Sequence, residues 1–251
     1  MVALTLDRVS GMIRDSIAVK EQLLADTALH DTILVVTRVC IEALKRGNKI
    51  ILAGNGGSAA DSQHIAAEFV SRFEFDRPGL PSISLTTDTS MLTAIGNDYG
   101  YEYVFARQLE ANGREGDVFI GISTSGNSKN VIAAVEAAHK RGISTVALCG
   151  AAGRLKDLCR YALCAPSTHT PRIQESHILI GHILCALCEE AMFPEHKPQP
   201  GASGRACNRW WRTCPSRWRR WPAGRFWRCC STRSPMPGWA GWCWPWATSA
   251  R

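Results

Sequence analysis

The sequence predicts an α/β protein: a doubly wound, five-stranded parallel sheet with two helices leading into it. Three observations predict this class. Five short runs are apolar almost throughout, as strands buried on both faces must be. Helical stretches alternate with them, which means a parallel sheet covered on both sides. Two of the runs end in glycine-containing turns that open helices, where sheets of this class bind their ligands.

In chain order, residues 3–26 place Leu4, Leu6, Val9, Ile13, Ile17 and Leu23 at helical spacing with charges between them. Residues 29–45 repeat the pattern with Ile33, Val36, Cys40, Ile41 and Leu44, and stop at Arg46-Gly47. Two leading helices with apolar stripes pack either against a partner subunit or over their own sheet. Strands are expected at 49–53, 82–86, 117–122, 144–148 and, most weakly, 161–165. Helices are expected between them at 58–72, 89–96, 101–112, 128–141 and 153–159. The stretch Arg77-Pro-Gly-Leu-Pro81 separates helix from strand, and Arg141-Gly142 ends another helix. A long final helix, 172–193, is entered after Pro171.

Composition divides the chain into a folded domain, 1–196, and an atypical tail, 197–251. All nine Trp lie between Trp210 and Trp246, and the last acidic residue is Glu195. Lys197 and ten Arg give the tail +11, so the formal +7 of the whole chain leaves −4 on residues 1–196. The basic balance is therefore no argument that the folded part binds nucleic acid or a membrane. The tail's Trp, Arg, Pro, Cys and Gly follow neither a two-residue nor a helical period. An out-of-frame or degenerate extension without its own fold is the reading it supports, against an Arg/Trp segment that binds nucleic acid. No apolar run reaches the length of a bilayer span, and the N-terminus lacks a signal-peptide core. A soluble cytoplasmic protein is expected. Six cysteines of the folded part lie mostly in apolar patterns and read as small buried hydrophobes. Cys185-Ala-Leu-Cys188 is formally a C-x-x-C, but it sits within a helix and has no second such pair.

Chemistry concentrates at the strand ends. Ile50–Ala53 runs into Gly54-Asn-Gly-Gly57 and then a helix from Ser58 that carries His64 and Glu68. A strand, a glycine turn and a helix start form an anion-binding geometry, because unpaired N–H groups and the helix dipole face the turn. His64 and Glu68 are four residues apart and share a helix face, so they can reach one point. The second turn, Ser123-Thr-Ser-Gly-Asn-Ser128, offers four hydroxyls where one would suffice as a helix cap, which suits a phosphate dianion. Asn97-Asp98 is placed at the same edge of the sheet. Asp61 at the start of the first of these helices favours its dipole or touches the ligand. His177 is either behind the site or at the surface.

Taken together, Gly54-Asn-Gly-Gly-Ser-Ala-Ala-Asp61, Ser123-Thr-Ser-Gly-Asn-Ser128 and Arg172-Ile-Gln-Glu-Ser-His177 resemble the sugar isomerase (SIS) domain family over about residues 5–195. The resemblance implies a flavodoxin-like fold and an aldose–ketose isomerase. The implied reaction converts sedoheptulose 7-phosphate to D-glycero-D-manno-heptose 7-phosphate through an enediol, on the way to ADP-heptose for lipopolysaccharide. It further implies a homotetramer with sites at subunit interfaces and one zinc ion per subunit, with ligands falling on His64, Glu68, Gln174 and His182. Implied substrate contacts are Asn55, Gly56, Gly57, Glu68, Asn97, Asp98, Ser123, Thr124, Ser125, Ser128 and Gln174. Glu68 is expected as the base and His182 as its acid/base partner, since shifting a carbonyl between neighbouring carbons needs both functions. Gln174 and His182 are eight residues apart, about 12 Å of helical rise, so either the helix is irregular or the two serve one ion from different subunits. The same domain resembles the DnaA initiator-associating proteins, which bind a replication initiator, and sugar-phosphate-sensing modules. A pure binding module has no need of the Glu68–His182 pair.

Overall fold

The computed structural model describes residues 4–197. The tail reading lies outside the described residues. Five strands form one parallel sheet: β1 Ile50–Ala53, β2 Ser82–Ser84, β3 Val118–Ser123, β4 Ser144–Cys149 and β5 Tyr161–Cys164. Their order is β2-β1-β3-β4-β5. The chain leaves β1 for one side and returns to the other side with β3, so the switch point lies between the carboxyl ends of β1 and β3.

The helices are α1 Leu6–Ala25, α2 Thr27–Lys45, α3 Gly57–Val70, α4 Thr89–Asp98, α5 Val104–Asn112, α6 Lys129–Lys140, the single turn α7 Leu155–Leu158, and α8 Thr170–Met192. Strand pleating sends alternate residues to two cores. Ile50, Leu52, Val118, Ile120 and Ile122 pack with α2, α3 and α8. Ile51, Ala53 and Phe119 pack with α5 and α6. Ile50, Ile51 and Leu52 are each fully buried, worth about 1.5–3 kcal/mol per side chain.

Some boundaries differ from the sequence reading for local reasons. β2 stops at Ser84 rather than 86, because the Ser84 and Thr86 hydroxyls bond each other and the Thr87 hydroxyl donates to the Ser84 carbonyl, which turns the chain. The segment 101–112 is not one helix: a 3-10 turn, Tyr101–Tyr103, precedes α5. α8 begins at Thr170, with Pro171 inside its first turn, where a missing N–H costs nothing. Cys185 and Cys188 are core residues facing α2; burial pushes the Cys185 thiol up, and the neighbouring Cys40 thiol, with burial, raises Cys188.

The two leading helices separate. α2 covers the sheet with Ile33, Val36, Cys40 and Leu44 buried. α1 leaves Leu6, Val9, Met12, Ile13 and Ile17 exposed. It is held to α8 by polar contacts: Arg172 Nη1 donates to Met12 O at 2.6 Å, and Ser16 and Lys20 both bond Glu175. Among the described residues no helix is long and apolar enough to cross a membrane.

Candidate active site

Both glycine turns stand at the switch point. α1, α2 and α4 begin on side-chain caps from Thr5, Asp26 and Asp88. α3 and α6, which start from the two turns, have no side-chain cap. In α3 the Ser58 and Ala59 N–H groups close onto the Asn55 and Gly56 carbonyls at 3.0 and 3.1 Å, so the N–H groups available to an anion are chiefly those that open α6. Ser128 occupies the N-cap position of α6, yet its hydroxyl bonds Ser123 Oγ at 2.8 Å instead. The turn is held from outside by the loop after β4. Gly126, at φ 65°, would drive a Cβ to 2.6 Å from Ala152 O, so only glycine fits there. Leu155 N–H donates to Gly126 O at 2.9 Å, and Arg154 N–H to Asn127 Oδ1 at 3.2 Å.

Across the crevice, the Asn55 amide exchanges two hydrogen bonds of 2.9 Å with Asn130, and Tyr101 Oη donates to Asn55 Oδ1 at 3.1 Å. These three residues, with Glu102, Ser128 and Lys129, border a cavity of about 450 Å³. Sequence reasoning missed Tyr101 and Asn130. Asn130 follows Ser128 by two positions, but Tyr101 left no local signal.

α3 and α8 run side by side in the same direction. A Cβ on Gly57 would collide with the Gln174 amide, a Cβ on Gly181 would strike Ile65, and Glu189 bonds the chain just past α3. This parallel packing brings His182 to His64. Their Nε2 atoms are 3.0 Å apart, and Glu68 Oε1 lies 3.4 Å from the same His64 nitrogen. One donor atom from each of His64, Glu68 and His182 lies within 4.8 Å of the other two. Glu68 and His182 are half-buried and His64 is exposed, so the cluster is open to a ligand. One turn earlier, burial pushes the Asp61 carboxyl up to about 6, with His64 opposing; its Oδ2 has no partner among the described residues.

The other sequence-derived candidates are placed as follows. Ser123 is buried, Thr124 half-buried and Ser125 exposed. Gln174 stands over Gly57 at the head of α3. α8 is a continuous helix, so within one chain Gln174 is about 12 Å of rise from His182. Asn97 and Asp98 end α4, exposed, with their side chains bonded to each other at 2.9 Å. His177 is fully buried, which removes the surface reading. Burial lowers its pKa to about 4, the Cys149 main chain opposing only in part, and neither ring nitrogen has a hydrogen-bond partner among the described residues.

A parallel sheet with two uncapped helix starts at its switch point and a carboxylate–imidazole cluster alongside defines a class: an α/β protein built to hold a small anionic ligand next to acid/base groups. Residues 14–150 match the SIS domain family. The phosphoheptose isomerase of Aneurinibacillus thermoaerophilus is 64% identical over 188 residues, 74% of this chain and 95% of that protein. Phosphoheptose isomerase 2 of Campylobacter jejuni is 61% identical over 186 residues, 74% of this chain and 92% of that protein. Among solved structures, the phosphoheptose isomerase of Francisella tularensis superposes with a TM-score of 0.71 at 36% identity, covering 75% of this chain and 100% of that one. That of Neisseria gonorrhoeae gives 0.68 at 43%, covering 73% and 98%. The chain belongs to the SIS domain family and, within it, to the phosphoheptose isomerases. It is a sugar-phosphate isomerase.

Proposed function

We propose that the chain interconverts sedoheptulose 7-phosphate and D-glycero-D-manno-heptose 7-phosphate, as the first step toward ADP-heptose for lipopolysaccharide, in the cytoplasm. The observation that carries this reading is the meeting of His64, Glu68 and His182 beside two uncapped helix starts. The phosphate is assigned to Ser123, Thr124, Ser125, Ser128 and the free N–H groups of α6. Asn55, Gly56, Gly57, Asn97, Asp98 and Gln174 are assigned to the sugar chain.

Glu68 takes the proton from C1, next to the C2 carbonyl, and an enediol forms. His182 serves the oxygens: one proton moves between O1 and O2 as the carbon proton returns at C2. Charge that develops on the oxygens is met by imidazole donors close by. Two imidazoles and a carboxylate converging from two helices fit a zinc ion, and the set leaves room for a further ligand. When bound, such an ion polarises the carbonyl and hydroxyl oxygens. His64, Glu68 and His182 would hold it, and Gln174 would join from a second copy, since within its own chain it stands at Gly57.

That last assignment needs an oligomer, and a homotetramer is the proposed state. The exposed stripe of α1 supports it. Val9, Met12, Ile13 and Ile17 line a groove with Arg172 and Glu175 of α8, the helix that carries Gln174. The test is turnover of sedoheptulose 7-phosphate by purified protein, before and after chelation, with its mass in solution measured in parallel. The reading requires turnover that chelation suppresses and zinc restores. No turnover by a zinc-loaded tetramer would remove it, and full turnover by a verified monomer would remove the interface assignment.

A further inference from the structure

α3 ends at Val70, two residues after Glu68, and its last carbonyls then lack helical partners. One guanidinium supplies them. Arg77 Nη2 donates to Glu68 O at 2.8 Å, and Nη1 to Phe69 O at 2.7 Å and Ser71 O at 3.1 Å. Arg77 Nε donates to Glu189 Oε1 on α8 at 2.9 Å. Glu189 also accepts the main-chain N–H groups of Phe73 at 2.8 Å and Glu74 at 2.7 Å. The two side chains are 1% and 0% exposed. Such a pair tolerates burial only when every donor and acceptor is met, so it fixes the end of α3, residues 71–77 and α8 in one arrangement.

That arrangement bears on the acid/base cluster. Glu68 is itself one of the residues whose carbonyl Arg77 holds. Phe73, pinned by its N–H, lays its ring against the His182 imidazole, with centroids 5.2 Å apart and planes tilted 31°. Among the described residues the His182 ring makes one hydrogen bond, to His64. A ring held at one atom can swing, and the Phe73 face closes one side of that swing.

We infer that Phe73 is a positioning residue: its ring, anchored by the buried Arg77–Glu189 pair, sets the orientation of His182. The inference rests on reading His182 as the acid/base partner of Glu68. Phe73 is partly exposed, so Phe73→Leu keeps apolar volume at small cost to folding and removes the flat face. Phe73→Tyr keeps that face. Full chains of both, with His182→Asn as reference, are assayed with sedoheptulose 7-phosphate well below their melting temperatures and normalised to folded protein. Misplacing a catalytic group by a fraction of an ångström predicts a kcat loss of about 10-fold in Phe73→Leu, with KM within about twofold and Phe73→Tyr close to the parent. An unchanged kcat in Phe73→Leu while His182→Asn is inactive would overturn the positioning role alone. A lowered melting temperature with unchanged kcat per folded molecule, or an equal kcat loss in Phe73→Tyr, would do the same. Full turnover by His182→Asn would overturn the reading of the site beneath it.

Discussion

The α3–α8 pair has two ends of opposite character. At its head, Gly57 and Gln174 meet beside the Ser123–Ser128 turn, where donors are main-chain N–H groups, hydroxyls and an amide. Two turns further, His64, Glu68 and His182 meet, and every group there can take or give a proton. In the proposed reaction the head holds an anion whose charge does not change. In the same proposal the middle changes protonation with each turnover. Groups that contact an unchanging part of the ligand bind ground and transition states alike, whereas groups at the reacting atoms act on the barrier.

Glu68→Gln puts this contrast to its strongest test. It should lower kcat by about 100- to 10,000-fold with a modest change in KM, as loss of a general base does. Near-normal turnover would take the middle of the pair out of the chemistry. At the other end, Ser123→Ala combined with Ser128→Ala removes hydroxyls from a charged ligand, and each such bond is worth about 1.5–3 kcal/mol. The two together are worth about 3–6 kcal/mol, so KM should rise by about 100-fold or more, with the smaller effect on kcat. A fall in kcat at constant KM would erase the division between the ends. Gly57→Ala is milder. A Cβ there would collide with Gln174 Nε2, and the flexible side chain must swing away. About a 10-fold loss in kcat/KM is expected with little change in melting temperature, on the scale of a misplaced contact.

The smallest effect concerns His177, which lies between the ends on α8. Its folded pKa, about 4, is below the 6.5 of the exposed group. Between these values the unfolded chain binds a proton that the folded chain refuses, so stability falls as pH drops through that window. From pH 6.5 to 5 the loss attributable to His177 is at most about 2 kcal/mol. Urea unfolding of His177→Phe should show a shallower decline over that range. An identical decline would place the acid sensitivity elsewhere.

Much of this was legible in the residues. β1 and β3 are apolar on both faces, and the helix spacing of α2 and α8 is regular, so the strand and helix assignments came within a few residues of the observed ones. His64 and Glu68 could be paired from spacing alone. His182 and Gln174 entered only through resemblance, because nothing local ties α8 to α3. Phe73 was invisible for a related reason: the N–H that fixes it bonds a carboxylate 116 residues away.

By itself, the sequence determined the class of fold, the two glycine-containing turns that open α3 and α6, and the imidazole–carboxylate pair on α3. These depend on period and local backbone chemistry, which a single segment carries. Only the tertiary structure decided that α2 is buried along its stripe while α1 buries Leu23 and leaves Leu6, Val9, Ile13 and Ile17 exposed. It also decided that His182 meets His64 while Gln174 stands at Gly57. An amphipathic helix specifies that one face will be covered, but the partner and its offset are set by packing between distant segments, where a shift of one turn exchanges which side chains touch.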